Sequence, residues 1–257
     1  MFQNICPLFE EKRVLKKEML ENLRDYPRDM FDIQHLEYSD GILVGCRLEA
    51  DGAGIVVQPG ILRHKGVPYV LRAACRISCR ADGRLVYLKV RFMDKAIGSG
   101  QEEYLSQVYA DGEVPDSDNE MELGRFKLQP GARLRTEYTD FYDFATEYDT
   151  VGRIHVPYAA PGGISIWPSI LQRYAAALAE TGTQNPWDCA FCLNGLQAKE
   201  AMPYGEIRAY LNARLGQSEE YTNEQIYAAL RSILQEAEGK KQRPGKRTER
   251  PQGMLML

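Results

Sequence analysis

The sequence predicts an α+β protein, with an N-terminal antiparallel β-sandwich or open barrel followed by a small C-terminal helical domain. From Asp40 to about residue 135, short apolar or alternating segments are separated by Asp-Gly and Pro-Gly pairs, a pattern typical of antiparallel strands. From residue 164 onward, apolar residues recur at helical spacing. At 257 residues the chain is long enough to bury a full core.

These changes of pattern divide the chain into five predicted segments. Each boundary falls where the periodicity or the composition changes. The segments are an N-terminal helix with its lead-in (1–39), an antiparallel β-domain (40–135), an aromatic and acidic connector (136–163), a helical domain (164–239) and a basic disordered tail (240–257).

Residues 7–24 predict a weakly amphipathic helix, because apolar residues recur among charged ones. Pro27 disfavours helical geometry at Tyr26, so we expect the helix to end there. We interpret this helix as a cover for the core, with a docking role as the alternative. No apolar run reaches the roughly 20 residues that span a bilayer, and the N-terminus lacks an uninterrupted apolar region. The sequence therefore predicts no membrane span and a cytoplasmic protein.

The stretch GIVVQPGILRHKGVPYVL, residues 54–71, predicts three strands joined by two tight turns. Pro59 and Gly60 define the first turn and Gly66 the second, since proline presets one turn dihedral and glycine permits positive φ. We expect both turns to reverse the chain within one small sheet. Further along, RLVYLKVRFM predicts a strand whose face with Val86, Leu88 and Val90 is fully apolar.

The connector combines aromatic and acidic residues in the run TEYTDFYDFATEYD. We interpret its aromatic rings as packing on the sheet or on a partner protein. Carboxylates between residues 137 and 149 also leave open a glycan or cell-wall hydrolase, which uses a carboxylate pair. The predicted interface candidates are Tyr138, Phe141, Tyr142, Phe144 and Tyr148.

Four short helices are predicted in the C-terminal part. Asn185 is placed to cap the second of them, with Pro186 at the first helical position. Thr222 and Gln225 fit a capping box at the start of the last helix. That helix and its lead-in carry five glutamates, and Arg231 is the only base in the helix body, whereas a DNA-reading helix needs basic or amide residues facing the phosphates and base edges.

No catalytic, cofactor-binding or metal site is predicted. The sequence has no phosphate-binding loop, dinucleotide fingerprint or zinc-protease motif. The pairs Cys75/Cys79 and Cys189/Cys192 are far apart in the chain, and we interpret them as reduced thiols, with a zinc site as the alternative. The three histidines lie in unrelated contexts.

The net charge of −4 gives the chain no general attraction for nucleic acid. The run Lys240–Arg250 differs, with six basic residues against one acidic residue. Nucleic acid is therefore an expected partner only through residues 240–250. A nucleic-acid-binding or regulatory protein that uses this tail and the C-terminal helices is the second functional hypothesis.

The segment from Asp40 to Leu71 resembles the β-domain of structural proteins in phage tails and contractile injection systems, near the baseplate or the root of a tail fibre. A looser likeness over residues 123–159 is to prophage-like proteins, some of which carry a "DNA and RNA helicase" label that no Walker A sequence supports here. The resemblance implies a non-enzymatic assembly component, built into a particle, whose partners are other tail or baseplate proteins or copies of itself. It is carried by Asp40, Gly41, Ile42, Gly45, Ile55, Val57, Pro59, Gly60, Gly66 and Tyr69.

Overall fold

The computed structural model describes residues 3–9, 11, 14–52, 54–98 and 100–241. The chain divides into two compact units, Met1–Tyr38 and Ser39–Leu257. The predicted α+β class is confirmed, because strands fill the first part of the second unit and helices the last part. Of the predicted basic tail, residues 242–257 lie outside the described residues.

The described part of the first unit contains one helix, α1 (Lys17–Gln34). The prediction of a helix over residues 7–24 is therefore wrong at both ends, since the helix begins at Lys17 and continues through Pro27. A proline inside a helix removes the hydrogen bond to the carbonyl four residues earlier. No residue of α1 is buried, so water can solvate the carbonyl that Pro27 leaves unpaired.

The second unit begins with a long series of strands. They follow the predicted apolar segments, with additional short strands between residues 96 and 103 and within the connector. The strands are β1 (Gly41–Gly45), β2 (Leu48–Ala50), β3 (Gly54–Val57), β4 (Gly60–His64), β5 (Val67–Leu71), β6 (Cys75–Ser78), β7 (Leu85–Phe92), β8 (Ala96–Gly98), β9 (Gln101–Glu103), β10 (Ser106–Asp111), β11 (Glu120–Lys127), β12 (Tyr158–Ala160) and β13 (Gly163–Ser165).

The largest sheet has five strands in the order β13-β12-β1-β4-β5. Its β1 and β12 pair in parallel, with Ile42 opposite Tyr158. A strand from the predicted connector therefore returns beside β1, in addition to the antiparallel strands predicted over residues 40–135. The other pairs of this sheet are antiparallel.

Two three-stranded antiparallel sheets, β10-β7-β11 and β2-β3-β6, accompany the large sheet. The described strands form no closed barrel. All three sheets contribute to one apolar core, in which Ile42, Ile55 and Leu88 have no exposed surface. Each of the three comes from a different sheet, so this core holds the sheets together.

The helical part contains four helices, as predicted. Asn185 caps its helix by accepting a hydrogen bond from the Trp187 N–H at 2.9 Å. The capping box also forms, since Thr222 N–H donates to Gln225 Oε1 at 2.8 Å and Gln225 N–H donates to Thr222 Oγ1 at 3.3 Å. The helices are α2 (Pro168–Glu180), α3 (Pro186–Gln197), α4 (Tyr204–Leu215) and α5 (Asn223–Lys241).

A second apolar core lies among these helices. Ile170, Leu211 and Leu230 are fully buried there. Trp167 packs against this core and also against the core of the sheets. The strands and helices of the second unit are therefore joined by shared packing.

Candidate functional site

The structure places three of the five interface candidates inside the helical core. Tyr138, Phe141 and Phe144 are almost completely buried. The Phe141 ring centroid lies 5.0 Å from that of Tyr227, and those of Phe144 and Tyr138 lie 4.4 Å apart. A ring already enclosed by its own chain cannot be presented to a partner. The interface prediction is corrected accordingly: these three side chains bind the connector to the helices.

Tyr142 and Tyr148 keep part of their surface. The Tyr142 hydroxyl donates to Glu238 Oε2 at 2.8 Å. Burial and the neighbouring Glu238 carboxylate raise the pKa of this phenol. Tyr148 is 48% exposed, with Lys127 Nζ 5.3 Å from the centre of its ring. Of the five candidates, these two can still contact a partner.

The carboxylates of the connector have structural partners. Asp143 accepts two hydrogen bonds from Arg135, at 2.6 and 2.5 Å. The Arg135 guanidinium holds the pKa of the Asp143 carboxyl well below its usual range, so this group stays ionised. Glu147 pairs with Lys127 at 2.9 Å, and Asp149 accepts from the Gln129 N–H at 2.8 Å. All three carboxylates are thus engaged in contacts within the chain.

The two predicted turns differ in what they do. Lys65 and Gly66 both have positive φ, at 48° and 77°, as a two-residue hairpin turn requires. Pro59 and Gly60 instead connect β3 to β4, which belong to different sheets. The expectation of a reversal within one sheet is wrong here. A Cβ on Gly60 would lie 2.4 Å from Cys46 N, so glycine is required by close approach of the backbone.

Arg153 is a buried cation that sequence reasoning missed. It is 3% exposed and lies against Trp167, with the guanidinium carbon 4.5 Å from the centre of the indole. Its Nη2 donates to the Tyr158 hydroxyl at 2.7 Å and to the Cys46 carbonyl at 3.4 Å. Its Nε has no partner in the described part of the chain. The run VGRIHV offers no signal for this role, because the charge alone suggests an exposed position.

Lys89 is the second buried cation, and in β7 it lies on the face opposite Leu88 and Val90. It is 1% exposed, and its Nζ contacts Asp111 at 2.9 Å, Glu120 at 3.0 Å and the Glu113 carbonyl at 3.0 Å. Although burial opposes it, hydrogen bonds from Tyr109, Arg91 and Lys89 lower the pKa of Glu120 to about 2. All three donors of the ammonium are satisfied, so the cluster is a structural one.

A third polar cluster lies among α2, α3 and α4. Asp188 accepts from the Tyr210 hydroxyl at 2.9 Å, from Arg214 Nε at 2.7 Å and from Thr183 Oγ1 at 2.8 Å. Tyr210 in turn contacts the hydroxyl of Tyr174 at 2.6 Å. Burial raises the pKa of Tyr174 and of Tyr210. Because the charges of Asp188 and Arg214 are paired, this network ties the helices together.

The cysteines form no metal site in the described residues. Among these residues, no group of three or more His, Cys, Asp or Glu side chains could hold a metal ion. Cys46 and Cys192 are buried, and burial raises the pKa of each thiol to about 11. No helix in the described ranges is long and apolar enough to cross a membrane.

The N-terminal unit differs from the rest of the chain in its exposed apolar side chains. None of its described residues is buried. A monomeric soluble protein rarely exposes so much apolar surface without a partner to cover it. The exposed large apolar side chains of this unit are Ile5, Leu8, Phe9, Val14, Leu15, Leu20, Leu23, Tyr26, Met30, Ile33 and Leu36.

A smaller apolar surface lies on α3. Trp187, Leu193 and Leu196 are 53%, 61% and 51% exposed. The only charged residue of this helix, Asp188, is buried. The outer face of α3 therefore carries no charge.

No protein-family model matches the sequence, and no curated protein matches it. Three solved structures match the chain at low identity. A TssK–TssF–TssG baseplate subcomplex matches with 12% identity over 92% of this chain and 100% of that chain, at a TM-score of 0.46. A crystal structure of TssK matches with 7% sequence identity over 93% of this chain and 72% of that chain, at a TM-score of 0.42. The baseplate complex from the type VI secretion system matches with 10% sequence identity over 91% of this chain and 69% of that chain, at a TM-score of 0.38.

Proposed function

We propose that this chain is a non-enzymatic structural component of a phage-tail-like particle, at or near the baseplate, and that its N-terminal unit attaches it to other subunits. The observation that carries the proposal is the apolar surface of residues 1–38, where eleven large apolar side chains are exposed and no described residue is buried.

The physical reason for an attachment role lies in α1. Helices in proteins are stabilised mainly by burying an apolar face, and α1 also contains a proline that interrupts its hydrogen bonding. Leu23, Met30 and Ile33 are 56%, 55% and 71% exposed. Fully burying such a side chain stabilises by about 1.5–3 kcal/mol, and covering the part still exposed contributes a corresponding share of that. A partner that covers α1 would therefore stabilise the helix and the complex together.

The resemblance to phage-tail proteins also has a structural basis. Asp40, one of the residues that carry the resemblance, accepts hydrogen bonds from the Lys65 N–H at 2.6 Å and from the Gly66 N–H at 3.3 Å. These bonds fix the turn between β4 and β5. Gly45 has a positive φ of 75°, and Gly60 lies against Cys46. The matching positions are thus ones that the fold requires. These positions support a relationship between this β-domain and the β-domains of phage-tail proteins. Because they maintain the fold, other surfaces determine which partner is bound.

The test is affinity purification from the native cell with mass spectrometry of the captured proteins. We expect the tagged full chain to capture sheath, tube or baseplate subunits. The double change Leu23→Asp and Met30→Asp should reduce that capture at least about tenfold, since each Asp places a charge in the apolar contact.

The matched control is Arg28→Asp, which introduces the same side chain on the charged side of α1. It should capture as much as the unchanged chain. Capture of no tail-like subunit by the full chain would overturn the proposed function. Equal capture by the double variant would overturn the assignment to the N-terminal unit.

A further inference from the structure

The outer face of α3 carries an apolar stripe along its whole length. Trp187, Ala190, Leu193 and Leu196 follow one another at intervals of three residues and are all exposed. At 100° per residue, this spacing places them on one slowly winding stripe. The residues of α3 that are buried fall on the opposite side: Asp188, Phe191, Cys192 and Gly195. Because apolar surface in water is unfavourable, this uncharged stripe favours a cover that is apolar and uncharged as well.

The end of α5 lies beside the start of α3. Arg214 Nε donates to Asp188 of α3 at 2.7 Å, and Arg214 Nη2 donates to Glu236 of α5 at 3.4 Å. A cavity of about 300 Å³ is lined both by Asn185, at the start of α3, and by Ala237 of α5. The helix α5 ends five residues after Glu236, about 7.5 Å further along its axis. The chain therefore leaves α5 in the neighbourhood of the first turn of α3.

The segment that follows α5 contains an uncharged apolar run within reach of the stripe. Residues 251–257 read PQGMLML, with no charged side chain and four consecutive large apolar ones at 254–257. Residues 242–253 separate this run from α5. A chain of twelve residues spans about 40 Å when extended and about 20 Å on average as a random coil. Because α3 is about 18 Å long, its whole outer face lies within that reach.

Attachment to the same chain favours this run over a separate molecule as the cover of α3. A tether of this length holds the run at an effective concentration on the order of millimolar. The basic residues of 240–250 precede the run, so they can remain in water while the run lies on the stripe. We propose that residues 254–257 bind the outer face of α3 in the same chain. A partner that uses this face must then displace the run first.

The first experiment uses the native thiol of Cys189, which is exposed on α3 one turn before Leu193. Met256→Cys is made in a full chain with Cys6→Ser, which removes the other exposed native thiol. Oxidised glutathione should then link residues 189 and 256 within one chain, as mass spectrometry of the peptides would identify.

The matched control adds Leu255→Asp and Leu257→Asp to the same chain. These changes keep the tether and place two charges in the apolar contact, so the rate of linkage should fall at least about tenfold. An equal rate in the control would overturn the proposal, because the tether alone would then account for the linkage. Linkage between two chains in place of the link within one chain would also overturn it.

The second experiment measures the exposure of Trp187 by acrylamide quenching of tryptophan fluorescence. Deletion of residues 251–257 should increase the quenching and shift the emission to longer wavelength, since Trp187 loses its cover. In a chain with Trp187→Phe, the same deletion should change neither quantity. Unchanged quenching after deletion in the chain that keeps Trp187 would contradict the proposal. Neither experiment alters residues 8–38, so neither result bears on the attachment role proposed for α1.

Discussion

Arg153 shows how one residue can join two parts of this molecule. Its guanidinium stacks on Trp167, which packs against both cores, and it donates to Tyr158 of β12. Within the described part of the chain no carboxylate pairs with it and its Nε has no hydrogen-bond partner. A buried cation without a counter-charge costs free energy, so packing and its two hydrogen bonds must offset that cost.

We predict that Arg153→Met changes the free energy of unfolding by no more than about 1 kcal/mol. Methionine keeps the apolar stem on Trp167 and removes the unpaired charge. Arg153→Ala should cost about 3 kcal/mol, because it also leaves a cavity. Urea unfolding of the three proteins measures the difference. Equal losses of unfolding free energy in Arg153→Met and Arg153→Ala would show that the charge of Arg153, rather than its apolar stem, stabilises the contact with Trp167.

At the scale of elements, the connection from β3 to β4 determines how two sheets meet. Gln58 and Pro59 carry the chain from the β2-β3-β6 sheet into the five-stranded sheet. Gly60 begins β4 against the backbone of Cys46, and the Cys46 N–H donates to the Pro59 carbonyl at 3.2 Å. The crossing is therefore held by backbone contacts, which tolerate no side chain at residue 60.

We predict that Gly60→Ala destabilises the protein by about 2–4 kcal/mol. Its Cβ would lie 2.4 Å from Cys46 N, 2.6 Å from Cys46 Sγ and 2.6 Å from the Val44 carbonyl oxygen, so the two strands must separate. Gly205→Ala is the matched control. Residue 205 lies in α4 with open space where the methyl group of an alanine would lie, and alanine there should stabilise by up to about 1 kcal/mol. Thermal unfolding of both variants measures the two changes in stability. If Gly60→Ala were as stable as the unchanged protein, the close approach of the backbone at residue 60 would be contradicted.

At the scale of the whole molecule, buried charge clusters make stability depend on pH. The hydrogen bonds to Glu120 hold its pKa at about 2 in the folded protein, below its ordinary value of 4.5. A carboxylate with a lowered folded pKa stabilises the protein above its unfolded pKa. That contribution is lost as the pH falls from about 4.5 toward 2.

We predict that the free energy of unfolding decreases between about pH 5 and pH 2, and that Glu120→Gln makes this decrease smaller by about 1 kcal/mol. The variant should also be less stable at neutral pH, because Lys89 loses one of its two carboxylate partners. Glu224→Gln, at an exposed position of α5, serves as the control. If the free energy of unfolding of Glu120→Gln decreased with falling pH as steeply as that of the unchanged protein, Glu120 would not be the source of the pH dependence.

Local chemistry explains which features were predictable from sequence. The caps at Asn185 and Thr222 and the turn at Gly66 depend on neighbouring residues, and all three form as expected. The return of β12 beside β1 and the burial of Phe144 depend on residues far apart in the chain. Neither leaves a periodic signal, so three of the five connector rings predicted to contact a partner proved to be part of the core.

The parallel pair of β1 and β12 has a consequence for the order in which the protein can fold. Ile42 and Tyr158 are more than a hundred residues apart, and the ribosome delivers the N-terminal strand first. One edge of β1 therefore remains open until the connector has emerged. During that interval the nascent chain exposes a strand edge to other nascent chains, which is the situation in which sheets aggregate edge to edge. Completion of the five-stranded sheet therefore has to wait until β12 has been synthesised.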